Sequence, residues 1–138
     1  MRLMAMALAL IAAMALAGCG AKAGFSVEDA QFQPPLGSGD VGTGYFTIRS
    51  IKADRIVKVS SPAAKAVEMH EMKMTGDMMS MARRETVDLP AGKKVEFKPS
   101  GLHLMVFSPD LASHPATLPI TIELESGLTQ TIEFAARK

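Results

Sequence analysis

Most of this 138-residue chain divides into short runs of β-favouring residues, each ending at Gly, Pro, Ser or Asp. Within the runs apolar and polar side chains alternate, as in residues 94–98 and 120–124, with the two-residue period of a half-buried strand. No stretch after residue 24 sustains helical periodicity. We therefore predict an all-β sandwich or barrel with strands near residues 25–31, 43–50, 55–60, 66–73, 78–85, 93–98, 102–107, 119–124 and 128–134.

The first 18 residues have the pattern of an export signal rather than of a folded element. Arg2 supplies a positive charge, and the apolar run over residues 3–16 is shorter than the roughly 20 residues that span a bilayer. The run ends in Leu16-Ala17-Gly18-Cys19, which resembles the lipobox of bacterial lipoproteins, where cleavage precedes a cysteine that then carries lipid. The alternative is an ordinary signal that leaves Cys19 as a free thiol. We predict a signal peptide over 1–18, a lipidated tether over 19–24 and one domain over 25–138.

These features place the predicted domain outside the cytoplasm, anchored to a membrane by lipid at Cys19. Gly20 follows the cysteine where inner-membrane lipoproteins carry Asp, which favours the outer membrane in a cell that has one. Cys19 is the only cysteine, which excludes an intramolecular disulfide. Without Arg2, the 14 remaining basic residues equal the 14 acidic ones, and such a balance gives no basic field for nucleic acid.

Methionine and histidine are concentrated in one part of the domain. Six of the 11 methionines fall within residues 69–81, around His70, and the last lies two residues after His103. Soft, uncharged thioether sulfur together with imidazole suits Cu(I) far better than it suits hard cations. The concentration predicts a site for a soft monovalent metal ion. The alternative for each methionine is core packing, because its flexible side chain fills irregular gaps.

Residues 67–82 are predicted to form a hairpin with Thr75-Gly76 as its two-residue turn. In that register His70 lies directly across from Met81, with Cα atoms about 4.5–5.5 Å apart. Met69 and Met78 then point to the opposite face and are expected to pack. Three further methionines lie on the His70 face, namely Met72, Met74 and Met79. They are expected to form a docking patch or to pack, and transient copper contact is the alternative.

A second candidate pair is His103 and Met105, which point the same way on a strand while Leu104 enters the core. This pair and the pair of His70 and Met81 would together complete a four-coordinate site, although local pattern does not show that their strands meet.

Three further polar residues need an interpretation, two glutamates and one histidine. Glu68 and Glu71 flank His70, either as a solvated edge or as carboxylates that orient the imidazole. His114 lies in the loop sequence Ser113-His114-Pro115 and is predicted to be an ordinary solvated histidine.

The spacing of the four candidate ligands resembles the signature of the periplasmic copper chaperones called PCu(A)C. Ten residues separate His70 from Met81, 21 separate Met81 from His103, and one separates His103 from Met105. Surrounding segments are also similar to that family, including residues 61–64, 67–72, 89–92 and 101–105. The resemblance implies a cupredoxin-like antiparallel β-sandwich or Greek-key barrel. It also implies Cu(I) binding by His70, Met81, His103 and Met105, and delivery of copper to respiratory cytochrome oxidase.

The expected function is therefore a non-enzymatic Cu(I) chaperone, a monomer whose partner is a copper-accepting oxidase subunit or a thiol-bearing copper carrier. Copper buffering without a dedicated acceptor is the alternative. A redox cupredoxin would need a cysteine ligand, and the only cysteine is assigned to the anchor. An enzyme is not expected, because four protein ligands leave no open catalytic position on the metal.

Overall fold

The computed structural model describes residues 24–138. The predicted signal peptide and the lipidation site at Cys19 lie outside the described residues. Within residues 24–138, no helix has the length and apolar character needed to cross a membrane.

The described part of the chain consists of ten strands joined by turns and loops. Seven of these strands have seven or more residues and three are shorter, and Gly or Pro follows most of them within a few residues. In chain order the strands are β1 Phe25–Gln33, β2 Val41–Ser50, β3 Asp54–Ser60, β4 Ala66–Thr75, β5 Met78–Arg84, β6 Val87–Leu89, β7 Lys94–Phe97, β8 Leu102–Phe107, β9 Thr117–Leu124 and β10 Thr129–Ala136.

The strands form a single sheet in the order β5-β4-β8-β7-β2-β1-β10-β9-β3-β6, with β8 also paired to β2. Most neighbours are antiparallel, and β1 with β10 and β7 with β8 are parallel. The sheet curls until β3 contacts β4, which produces a nearly closed, barrel-like β-sandwich. The predicted all-β class is confirmed.

Nine of the ten strands match the predicted ones to within two residues at each end. The missed strand is β6, which has only three residues and pairs with β3 through Ile56 and Val87. Its alternation of buried Val87, exposed Asp88 and buried Leu89 is too short to distinguish from a turn by pattern alone.

The core lies between the two halves of the curled sheet and is made by alternate side chains of nearly every strand. Phe46 stands near its centre, where its ring stacks on Phe97 at a centroid distance of 4.2 Å and meets Phe134 edge-on at 5.6 Å. Such aromatic pairs contribute beyond the apolar area that they bury. On β8 the core residues are Leu104 and Val106, so the prediction that Leu104 enters the core is confirmed.

The predicted register of the methionine-rich hairpin is wrong. Thr75 pairs with Met78, so the two-residue loop is Gly76-Asp77 and His70 lies across from Arg83 rather than from Met81. Gly76 has a φ of 63°, and the favoured hairpin turns require a positive φ at the first loop position. A turn at Thr75-Gly76 would have put a β-branched residue there, which explains the observed register.

The wrong register leaves the assignment of faces intact. Every cross-strand pair slides by two residues, and side chains alternate with a period of two, so each methionine stays on its predicted face. Met69 is 3% exposed and belongs to the core, as expected. Met78 does not pack as expected: it is 75% exposed because the hairpin end extends beyond the core.

Candidate metal site

The two candidate histidines lie on adjacent strands and face each other. Strands β4 and β8 are antiparallel neighbours, and His70 is the direct cross-strand partner of His103. Their ring centroids are 6.0 Å apart and the ring planes differ by 28°. Both rings stand on the sheet face opposite to the core, because the neighbouring residues Met69 and Leu104 point inward. The fold thus brings together two imidazoles that are distant in sequence.

The two candidate methionines flank this histidine pair. Met105 lies across from Glu68, and Met81 lies across from Met72. Both therefore occupy positions diagonal to His70, at which residues on adjacent strands are about 7–8 Å apart. They approach from opposite directions along the strands, and their flexible thioethers are long enough to extend toward the imidazoles. Met105 is half-buried and Met81 is 51% exposed, so Met81 is the more accessible of the two.

The ring of His103 is held by a backbone carbonyl. His103 is 8% exposed, and its Nδ1 lies 3.1 Å from the carbonyl oxygen of Gly101. A carbonyl can only accept, so Nδ1 carries the proton and Nε2 keeps its lone pair. The same carbonyl accepts the backbone N–H of Met72 at 3.1 Å, which ties the ring to the neighbouring strand. His103 is consequently prepared to bind a metal ion through Nε2.

The ring of His70 is held by a carboxylate. Its Nε2 lies 2.9 Å from Oε2 of Glu68, and the other oxygen of Glu68 lies 3.4 Å from Nη1 of Arg83. An ionised carboxylate accepts hydrogen bonds and cannot donate them, so Nε2 of His70 carries the proton. Nδ1 therefore keeps the lone pair with which the ring could bind a metal ion. Hydrogen bonds of this kind fix the ring orientation of metal-binding histidines and raise the basicity of the other nitrogen.

The two glutamates that flank His70 have different roles. Glu68 shares the histidine face and contacts the ring directly. Glu71 lies on the other face and forms an ion pair with Arg84. Of the two interpretations left open by the sequence, orientation of the imidazole therefore applies to Glu68, and a partly solvated edge applies to Glu71.

Two residues at the site were missed by the sequence reasoning. Arg83 enters because the hairpin register places it opposite His70, and Gly101 enters through its backbone carbonyl. The role of the Gly101 carbonyl could not be predicted, because no side-chain pattern marks a backbone acceptor. The preference of Gly76 for a positive φ could have indicated the hairpin register, and that register places Arg83 opposite His70. His114 lies in the connection between β8 and β9, outside the pairing that forms the site.

The donor set of this face combines imidazole nitrogen with thioether sulfur. Within residues 24–138, no group of three or more His, Cys, Asp or Glu side chains is placed to hold a metal ion. Neutral imidazole and thioether are ligands that soft, monovalent ions accept and that hard cations do not favour. Neither thioether has to lose a proton before it binds, and each imidazole needs only to be neutral.

A family model described as "Putative lipoprotein LpqE-like" matches residues 25–136. The chain belongs to the LpqE-like family. No curated protein matches it. Among the solved structures that are similar to this LpqE-like protein in fold, three are PCuAC domains. The copper-bound PCuAC domain from PmoF2 is 20% identical, with a TM-score of 0.68 over 83% of this chain and 92% of that chain. The apo form of that domain is also 20% identical, with a TM-score of 0.66 over 83% and 90%.

The third similar structure is the apo PCuAC domain from PmoF1, which is 17% identical, with a TM-score of 0.65 over 83% of this chain and 93% of that chain. At these identities the likeness concerns the fold. It confirms that the resemblance to PCu(A)C proteins, first seen in short sequence segments, extends to the architecture of the whole domain.

Proposed function

We propose that this LpqE-like protein is an extracytoplasmic carrier of Cu(I) that passes the ion to a copper-accepting protein, with a respiratory cytochrome oxidase copper centre as its destination. The observation that carries the proposal is the direct pairing of His70 with His103, flanked by Met105 and Met81 on one sheet face. The copper-bound PCuAC domain, which shares this fold, supports the assignment of copper as the metal.

The donor set suits a carrier that must release its metal. Two neutral imidazoles and two thioethers bind Cu(I) without thiolates, so an acceptor with thiolate ligands can take the ion by ligand exchange. The site also cannot be lost to disulfide formation in an oxidising compartment. With all four positions supplied by protein side chains, the metal has no open position for catalysis, so the proposed function is not enzymatic.

The proposed location follows from the N-terminus. Lipidation at Cys19 would hold the domain at a membrane surface outside the cytoplasm, and the description of the LpqE-like family as lipoproteins supports this anchor. The short tether would keep the domain near membrane-bound acceptors such as oxidase subunits.

The decisive test is an anaerobic Cu(I) titration of the full chain carrying Cys19→Ser, which removes the only thiol. Replacing His103 and Met105 together by alanine is expected to remove the metal site. X-ray absorption of the bound metal should then no longer show an environment with both nitrogen and sulfur neighbours. His114→Ala is the matched control, since this histidine lies outside the site, and it should change nothing. Unchanged stoichiometry and affinity in the His103, Met105 double variant would contradict the assignment.

A second prediction concerns Glu68. Glu68→Ala is expected to weaken Cu(I) binding by about 10–100-fold, because loss of a hydrogen-bond partner of a metal-binding histidine has effects of this size. Glu68→Gln keeps an acceptor oxygen near Nε2 of His70 and should restore most of the affinity. The affinity is measured by competition with a Cu(I) chelator of known strength.

The matched control for Glu68 is Glu71→Ala, which removes a carboxylate from the opposite face of the same strand, where it pairs with Arg84. We expect this variant to bind Cu(I) as the parent does. Equal losses in Glu68→Ala and Glu71→Ala would mean that the carboxylates act only through the general charge of the strand.

Copper buffering is the second candidate function. It is favoured by the exposure of Met74, Met79 and Met81, which offer more sulfur than one ion requires. Deletion of the gene separates the two functions. An oxidase defect that added copper rescues supports delivery, and copper sensitivity with normal respiration supports buffering.

A further inference from the structure

The end of the hairpin formed by β4 and β5 carries methionines in two consecutive cross-strand pairs. Met72 pairs with Met81, and Met74 pairs with Met79. Direct partners in an antiparallel pair have Cβ atoms about 4.5–5.5 Å apart and point to the same face. Successive pairs on one face are two residues apart along the strands, about 7 Å. Four thioethers therefore occupy a compact, two-by-two arrangement, called here the methionine lattice.

The methionine lattice is not part of the core. Met74 is 65% exposed, Met79 is 53% exposed and Met81 is 51% exposed, and Met72 is half-buried. Strand β5 is the terminal strand of the sheet among residues 24–138, so no further strand covers its outer side. Packing, the usual role of methionine in a strand, does not explain side chains that are this exposed.

Methionine is concentrated on one face of the hairpin end. The opposite face carries one exposed methionine, Met78, beside polar residues such as Lys73 and Ser80 and the Glu71–Arg84 ion pair. An apolar docking patch would be satisfied equally by Val, Ile or Phe, which strands favour more than methionine. Here sulfur is present at all four positions, and sulfur is what distinguishes methionine chemically from those residues.

We propose that Met72, Met74 and Met79 form a second site for one soft monovalent cation, Cu(I) or Ag(I), held by thioether sulfur alone. Such ions are d¹⁰ and have no geometric preference from their d electrons, so a small cluster of thioethers on an exposed face can accommodate one. The site contains no histidine and goes beyond the proposed function, since it would bind metal even if the histidine pair did not.

Met81 lies between the two sites. It belongs to the methionine lattice through its pairing with Met72, and it lies two residues along β5 from Arg83, the cross-strand partner of His70. An ion on the thioether site could therefore exchange Met72 and Met81 contacts for an imidazole without dissociating from the protein. This last step, unlike the second site itself, rests on the proposed function of the histidine pair.

The test uses the full chain with Cys19→Ser, titrated with Ag(I) in chloride-free buffer and with Cu(I) under anaerobic conditions. In a background where His103 and Met105 are alanine, the chain should still bind one equivalent, with only sulfur neighbours in metal X-ray absorption. Adding Met74→Leu and Met79→Leu, which keep apolar bulk and remove sulfur, should abolish this equivalent.

Met78→Leu is the matched control, because Met78 is the most exposed methionine of the hairpin and points to the other face. It should leave the second equivalent unchanged, and circular dichroism should show that all leucine variants remain folded. The proposal is overturned if the chain without His103 and Met105 binds no metal. It is also overturned if leucine at positions 74 and 79 leaves stoichiometry and affinity as before, which would indicate a surface for protein docking.

Failure of the second site and failure of the first give different results. If the double alanine variant retains every equivalent and every equivalent has an all-sulfur environment, the histidine site is wrong and the thioether site stands. If the leucine substitutions leave metal binding unchanged while the alanine variant loses the metal environment that contains nitrogen, the thioether site is wrong and the histidine site stands.

Discussion

Replacing Phe46 by alanine is expected to lower the free energy of unfolding by about 3–5 kcal/mol, the range for large aromatic truncations in cores. Phe46 is 2% exposed and contacts Phe97 and Phe134 through its ring, so truncation leaves a cavity between three strands. Single domains are stable by only about 5–15 kcal/mol, so this loss is a large part of the total. Urea unfolding should show a lower midpoint with an unchanged slope.

Thr47→Ala is the control for Phe46, because Thr47 follows it on β2 and points away from the core. It should lower the free energy of unfolding by well under the loss in Phe46→Ala. Comparable losses in the two variants would show that the aromatic cluster does not stabilise the sheet as its geometry indicates. Excess Cu(I) should recover part of the stability in both variants, since an ion that binds only the folded state stabilises it.

Leu104→Ala is expected to cost about 2–5 kcal/mol of unfolding free energy and to weaken metal binding as well. Leu104 is fully buried and stands between His103 and Met105 on β8. The backbone of β2 approaches it so closely that a Cβ added at Gly44 would lie 3.2 Å from the Cβ of Leu104. Loss of this anchor frees β8 to shift, and both candidate ligands on that strand would shift with it.

Leu104→Met is the matched control, because a swap that conserves volume usually costs less than about 1.5 kcal/mol. Unfolding in urea and Cu(I) competition are measured on the same samples, at denaturant concentrations where both variants are folded. If Leu104→Ala binds Cu(I) as tightly as Leu104→Met, the ligand strand is held by its pairing with β4 rather than by its core residue.

Strand positions and strand faces were predictable because they depend on local pattern. The alternation on β4 assigned Met69 to the core and His70 to the opposite face, and Leu104 was assigned inward for the same reason. A side chain's face changes only with an odd shift of register. For this reason the error of two residues in the hairpin moved His70 from Met81 to Arg83 without moving any methionine to the other face.

Other features of the site could not be predicted because they depend on contacts between distant segments. Nothing in the segments around His70 and His103 shows that β4 and β8 are neighbours, since strand order depends on how the whole sheet curls and closes. The contact between Glu68 and His70 required knowledge of both the face and the ring rotamer. The Gly101 carbonyl contacts His103 because of where the backbone lies, and since every residue has a carbonyl, the residue type does not indicate this role.

The amino-acid sequence by itself determined the all-β class, the faces of the hairpin methionines, His70 and Leu104, and the soft, thiolate-free chemistry of the candidate ligands. Each of these depends on residue type and on a two-residue period that operates within one strand. Only the tertiary structure decided that His70 stands across from His103, that Glu68 and Gly101 orient their rings, and that Met72, Met74, Met79 and Met81 share an exposed lattice. These depend on which strands pair and in which register, and that is decided by turn conformation and by packing across the whole barrel.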